Sequence, residues 1–101
     1  MKTQSVKGQI FVNFHSNCGE PEVIIDGDPQ GLRSLAKFCS ALADVDQKKI
    51  KGLPECASEH LHLNPGIHLG EKSARLILGR ADDKSGELNP DYKPPKPRAK
   101  N

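Results

Sequence analysis

Hydrophobic and polar positions alternate first along Gln9–Phe14, where Ile10, Val12 and Phe14 are separated by Phe11 and Asn13. That period of two, in β-branched and aromatic residues, predicts a strand. Residues 15–21 carry Asn17, Gly19 and Pro21 and read as a loop or hairpin turn. A second short strand follows over Glu22–Asp26. Asp28 then precedes Pro29, an N-cap followed by proline at the first helical position. Behind it Leu32, Leu35, Ala36, Cys39, Leu42 and Ala43 recur at helical spacing, and Phe38 and Val45 widen the stripe. The pattern predicts a helix over 29–46, with Gly31 a minor cost near its start. Glu59–Leu63 alternates again as a third strand, Asn64-Pro65-Gly66 is a turn signal, and residues 74–79 form a fourth strand.

The order strand, strand, helix, strand, strand predicts an α+β fold: a four-stranded, mostly antiparallel sheet with one helix on one face. Ile10, Val12, Phe14, Val23, Ile25, Leu61, Leu63, Leu76 and Leu78 are expected to face that helix. The opposite face then presents Phe11, Asn13, His15, Ile24, Asp26, His60, His62, Arg75 and Ile77. An open sheet face of mixed apolar and polar character suits a protein partner.

The chain has 101 residues, 35% of them hydrophobic and 4% aromatic, enough for one small aliphatic core. The net charge of +2 is unevenly spread. Residues 89–101 hold Lys93, Lys96, Arg98 and Lys100 against Asp91, whereas residues 1–88 hold 11 basic and 12 acidic residues. The domain is therefore placed at 1–88, and 89–101 is expected to be a basic, proline-rich, disordered tail. A near-neutral domain argues against a nucleic-acid-binding core, which carries a basic stripe. No apolar run is long enough to span a membrane. The first eight residues form no signal-peptide pattern, so a cytoplasmic location with free thiols at Cys18, Cys39 and Cys56 is expected.

Little in the chain points to catalysis or cofactors. Asp26-Gly27-Asp28 resembles the opening of a calcium loop, but Gln30 and Lys37 stand where ligands are required. Cys56, His60 and His62, with His68 beyond, offer zinc-type donors without a C-x2-C knuckle. Cys39 falls on the apolar stripe, where a thiol is inert. Cys18 near His15 lacks an orienting third group and an oxyanion hole. No cofactor, metal, small-molecule substrate or enzymatic activity is expected.

The segment Val23–Ala36, with its "DGDPQGLRSLA" junction, is followed by Glu59–Gly66 ("EHLHLNPG") and by Ser73–Gly79 ("SARLILG"). Together these resemble the immunity protein 32 family of bacterial polymorphic toxin systems, over roughly residues 10–83. The resemblance implies an α+β fold without enzymatic activity, and protection of the producing cell by stoichiometric binding of a cognate toxin domain. An ADP-ribosyltransferase, a nuclease and a deaminase all fit as the toxin. The residues expected to meet it are Phe11, Asn13, His15, Asp26, His60, His62, Arg75 and Ile77, with Asp82 and Asp83 in an acidic rim beside Glu87. Free of its partner, the chain is expected to be a monomer or weak dimer. The competing class is a nucleic-acid- or ribosome-associated accessory protein acting through the tail. Truncation after Leu88 separates the two, because only the second would lose its binding.

Overall fold

Strands β1 (Ile10–Asn17) and β2 (Glu20–Gly27) form an antiparallel hairpin, with Ile10 opposite Gly27 and Asn17 opposite Glu20. This is a computed structural model, and it describes residues 5–92 and Pro95. Only Cys18 and Gly19 make the turn, at φ 52° and 83°. Positive φ at both central positions matches the right-handed strand twist, so the ladder runs on through His15–Asn17 and Glu20–Pro21. The expected loop over 15–21 is therefore mostly strand.

Helix α1 spans Pro29–Asp44. Asp28 Oδ1 caps it by accepting from the Gly31 N–H at 2.7 Å, and also accepts from the Gln9 N–H at 3.0 Å. One carboxylate thus ties the helix start to the approach of β1. These two backbone donors hold the Asp28 carboxyl below its ordinary value of 3.8. No basic residue lies in the last turn. Instead Arg80, distant in sequence, donates from Nη1 to the carbonyls of Leu42 (3.0 Å) and Val45 (2.8 Å).

The second hairpin pairs β3 (His60–Leu63) with β4 (Leu76–Gly79), with Leu61 opposite Leu78 and Leu63 opposite Leu76. The two hairpins are separate two-stranded sheets, which corrects the expected single four-stranded sheet. The reason lies at residues 70–74. Gly70 N–H donates to Ile10 O (2.9 Å) and Ala74 N–H to Val12 O (2.7 Å), so this segment occupies the edge of β1. Between them Ser73 N–H turns back to Gly70 O, and the Val12 N–H is met by the Ser73 hydroxyl at 2.7 Å rather than by a carbonyl. A turn and a side chain stand where a ladder would need extended backbone.

The core comprises Ile10, Val12, Phe38, Leu42, Leu61, Leu63 and Leu69, with Leu35, Leu76 and Leu78 packed against it. Phe14, Val23 and Ile25 were expected in this core but are exposed. The helix begins at the Gly27 end of β2 and covers only the Ile10–Val12 end of the first hairpin, so the far end stands clear. The buried stripe of α1 is also narrower than its sequence pattern: Leu32, Ala36, Cys39 and Ala43 are exposed. Cys39 is thus a flanking thiol and not a core one. Buried Gln47 joins the remaining loops, donating from Nε2 to Asp82 O at 3.0 Å and accepting at Oε1 from Glu59 N–H at 2.7 Å.

Candidate partner-binding surface

The first hairpin has two chemically distinct faces. Phe11, Asn13, His15 and Asn17 share one with Glu20, Glu22, Ile24 and Asp26. Ile10, Val12 and Phe14 share the other with Val23 and Ile25. Ile10 and Val12 are buried beneath α1, whereas Phe14 and Val23, a cross-strand pair, are 68% and 61% exposed. The tip of the hairpin is therefore apolar on one side and acidic on the other.

Of the expected partner residues, the structure brings Phe11, Asn13, His15 and Asp26 together on the acidic face. Asn13, His15 and Asp26 are exposed there, and Phe11 is half-buried with its ring against Gly70. His60, His62 and Ile77 share a face of the second hairpin, on a different ribbon. The rings of His60 and His62 lie 4.8 Å apart, and Arg75 Nη2 lies against His62 Nδ1. Desolvation, then the positive charge of Arg75 and the neighbouring His60, hold the His62 imidazole below its ordinary value of 6.5.

Asp82 and Asp83 are engaged internally. Asp82 forms a two-pronged pair with Arg80, from Nε at 2.8 Å and from Nη2 at 2.7 Å, which holds Arg80 at the end of α1. Asp83 Oδ1 accepts from the Ser85 hydroxyl and from Glu87 N–H at 3.1 Å. The Arg80 hydrogen bond lowers the Asp82 carboxyl, and the Ser85 hydrogen bond lowers Asp83. Phe14, Val23 and Ile25, expected to face the helix, lie on the surface instead, beside Glu20 and Glu22, which the sequence pattern did not single out. The available signal was the absence of lysine and arginine from residues 10–27, a stretch that holds three acidic residues.

Three lowered carboxyls make stability acid-sensitive with a definite sign. Their contribution is present above the ordinary value of 3.8 and is lost as pH falls through the lowered folded values. Asp28→Asn keeps the cap and removes the titration. The variant should show a shallower fall of melting temperature than the parent between about pH 5 and pH 2, followed by circular dichroism. Equal slopes would show that the Asp28 carboxylate is not linked to folding.

The zinc-type donors are spread out. Cys56 is exposed, and His68 Nδ1 accepts from Asn64 N–H at 3.0 Å within the turn. Among the described residues no group of three or more His, Cys, Asp or Glu is placed to hold a metal ion. No described helix is long and apolar enough to cross a membrane.

A family model for immunity protein 32 matches residues 22–81, from β2 to the Arg80 loop. That is more than half of the chain and includes α1, the second hairpin and both Gly31 and Ser73. The chain belongs to the immunity protein 32 family. No curated protein and no solved structure matches it. Membership gives the chain an immunity function in general terms, and with it a protein as the general class of partner. Immunity protein families are generally non-enzymatic. Within this immunity protein the match begins at Glu22, so β1 and the turn at Cys18–Gly19 lie outside it.

Proposed function

We propose that this immunity protein neutralises a cognate antibacterial toxin domain by binding it one to one in the cytoplasm of the producing cell, without catalysis. Family membership carries this reading. The exposed hairpin supports it: Phe14 and Val23 stand in water, outside the buried core of the described residues, and add nothing to it. The contact is proposed on the first hairpin around Phe11, Asn13, His15 and Asp26. His60, His62, Arg75 and Ile77 form a second patch, with Asp82 and Asp83 at its rim. An acidic hairpin suits a toxin with a basic cleft, as in domains acting on nucleic acids or on NAD, and speeds encounter.

The test uses the toxin domain encoded beside this chain's reading frame. Co-expression with the full chain should restore growth, and the two should co-elute as a one-to-one complex. Asp26→Lys should slow association and reduce its salt dependence while leaving the melting temperature unchanged. Absence of both protection and complex would overturn the reading.

A further inference from the structure

The direction of the backbone groups in the first hairpin adds a second property to its exposed tip. Asp28 N–H donates to Gln9 O across the hairpin at 3.2 Å, whereas Ile10 O and Val12 O accept from Gly70 and Ala74 on the far side. Odd-numbered residues of β1 therefore turn their N–H and C=O groups toward β2, and even-numbered ones away. The antiparallel register makes the reverse true of β2. Glu20, Glu22, Ile24 and Asp26 pair with β1, and Pro21, Val23 and Ile25 face outward. Among the described residues no other element forms a backbone hydrogen bond to that outer edge. Pro21 fits there because a position facing outward needs no ladder donor.

Protein edges of this kind are normally blunted by charged side chains, proline, a bulge or a covering loop, and here Pro21 does so only at the turn end. The β2 edge has none of these over Val23–Ile25. Its side chains alternate: Val23 and Ile25 extend the apolar face, and Glu22 and Asp26 lie on the other. Residues 10–27 hold Glu20, Glu22 and Asp26 without a lysine or arginine, while the rest of residues 1–88 holds 11 basic against 9 acidic residues. The charge decides the occupant. A second copy pairing β2 against β2 sets Glu22 opposite Asp26 when centred on Ile24, and Glu20 opposite Asp26 when centred on Val23. Like charges directly opposite destabilise a strand pair.

We propose that the outer edge of β2 accepts an extended segment of a partner protein as an added strand. In that segment lysine or arginine alternates with apolar residues. Backbone bonds to Val23 and Ile25 supply the attachment, the basic side chains meet Glu22 and Asp26, and the apolar ones meet Val23 and Ile25. The immunity reading enters only in naming the toxin as the protein that carries this segment.

The probe is a capped seven-residue peptide alternating lysine and valine, titrated into the full-length, isotope-labelled chain. Amide shifts and slowed hydrogen exchange should centre on Val23 and Ile25 and spare Ile10 and Val12. A peptide with glutamate for lysine, or a scrambled one, should bind at least about ten-fold more weakly. Val23→Pro removes one outward donor without touching the ladder to β1, and should weaken binding by about ten-fold at an unchanged melting temperature. The pair Glu22→Lys with Asp26→Lys leaves the backbone alone and should exchange the preference from the lysine peptide to the glutamate peptide, which keeps the test decisive if the proline variant fails to fold. Shifts centred elsewhere, or a folded Val23→Pro protein that binds as well as the parent, would overturn the proposal. So would a β2-to-β2 dimer in sedimentation. With the toxin domain as ligand, equal binding by parent and the double lysine variant sinks the added strand but leaves immunity standing. No binding by the parent sinks the immunity reading while the peptide result stands.

Discussion

Leu63→Ala should cost about 2–5 kcal/mol and lower the melting temperature by more than about 10 °C. Leu63 is 0% exposed, and its partners Ile10, Val12, Leu61, Phe38, Leu42 and Leu69 make up the whole buried cluster. A chain of this length has about 5–10 kcal/mol of stability to lose. Neighbours cannot readily collapse into the space. Leu61 and Leu63 are fixed in register by Leu78 and Leu76, and Ile10 and Val12 are held by bonds to Gly70, Ser73 and Ala74. The informative comparison is Phe14→Ser, which removes a larger apolar side chain from the exposed tip and should change stability by less than about 0.5 kcal/mol. Thermal melts of the two variants check both statements. A Phe14→Ser variant as destabilised as Leu63→Ala would show that the tip is packed, and would remove the argument for a surface kept for a partner.

The contrast between these two residues marks what was legible in the chain. The alternation at Ile10, Val12 and Phe14 located the strand, and Asp28-Pro29 located the helix start to the residue, because both signals are local. Nothing local says how far α1 reaches along the hairpin. Phe14 continues the apolar face of Ile10 and Val12, so its exposure depends on the short reach of other elements. Cys39 was misplaced for the same reason: a wide apolar stripe on a helix is buried only as far as there is sheet to cover it.

The single sheet failed on a different ground. Four strands in this order ordinarily close into one sheet, and the element that prevents it is the Gly70–Ser73 turn, whose bond to Val12 comes from a serine hydroxyl. A hydroxyl that replaces a ladder carbonyl leaves no periodicity to read. Asp82 illustrates a similar limit at the candidate surface. Its carboxylate reads as an exposed acid, yet Arg80 takes both oxygens in order to close the end of α1. The acidic character of the first hairpin was legible in the residue counts but was obscured by averaging charge over the whole chain. The +2 of the full sequence has one source in residues 89–101, most of which lie outside the described residues. The asymmetry that bears on a partner lies between residues 10–27 and everything else.

Gly31→Ala should destabilise the protein by about 2–3 kcal/mol, although alanine is the better helix former by about 1 kcal/mol in an open helix. The usual reading of a glycine in the first turn is a small propensity loss, and here the sign reverses. A Cβ at this position would stand 2.0 Å from the carbonyl oxygen of Gln9 and 2.6 Å from its carbon. That oxygen cannot retreat cheaply: it accepts from Asp28 N–H at 3.2 Å, while the Gln9 N–H donates to Asp28 Oδ1 at 3.0 Å. Accommodating one methyl group therefore means lifting the helix start off the base of the first hairpin, which loosens Phe38 and Leu42 over Ile10 and Val12. Ser40→Ala, on the exposed side of the same helix, should be neutral or stabilising by a few tenths of a kcal/mol, as propensity alone predicts. Melts of the two variants separate propensity from contact, and a Gly31→Ala protein as stable as Ser40→Ala would show that the helix does not sit against Gln9. The position also bears on the partner surface. The contact at Gly31 brings α1 down on the Gln9 end of the hairpin, and by covering that end it leaves Phe14, Val23 and Ile25 bare at the other.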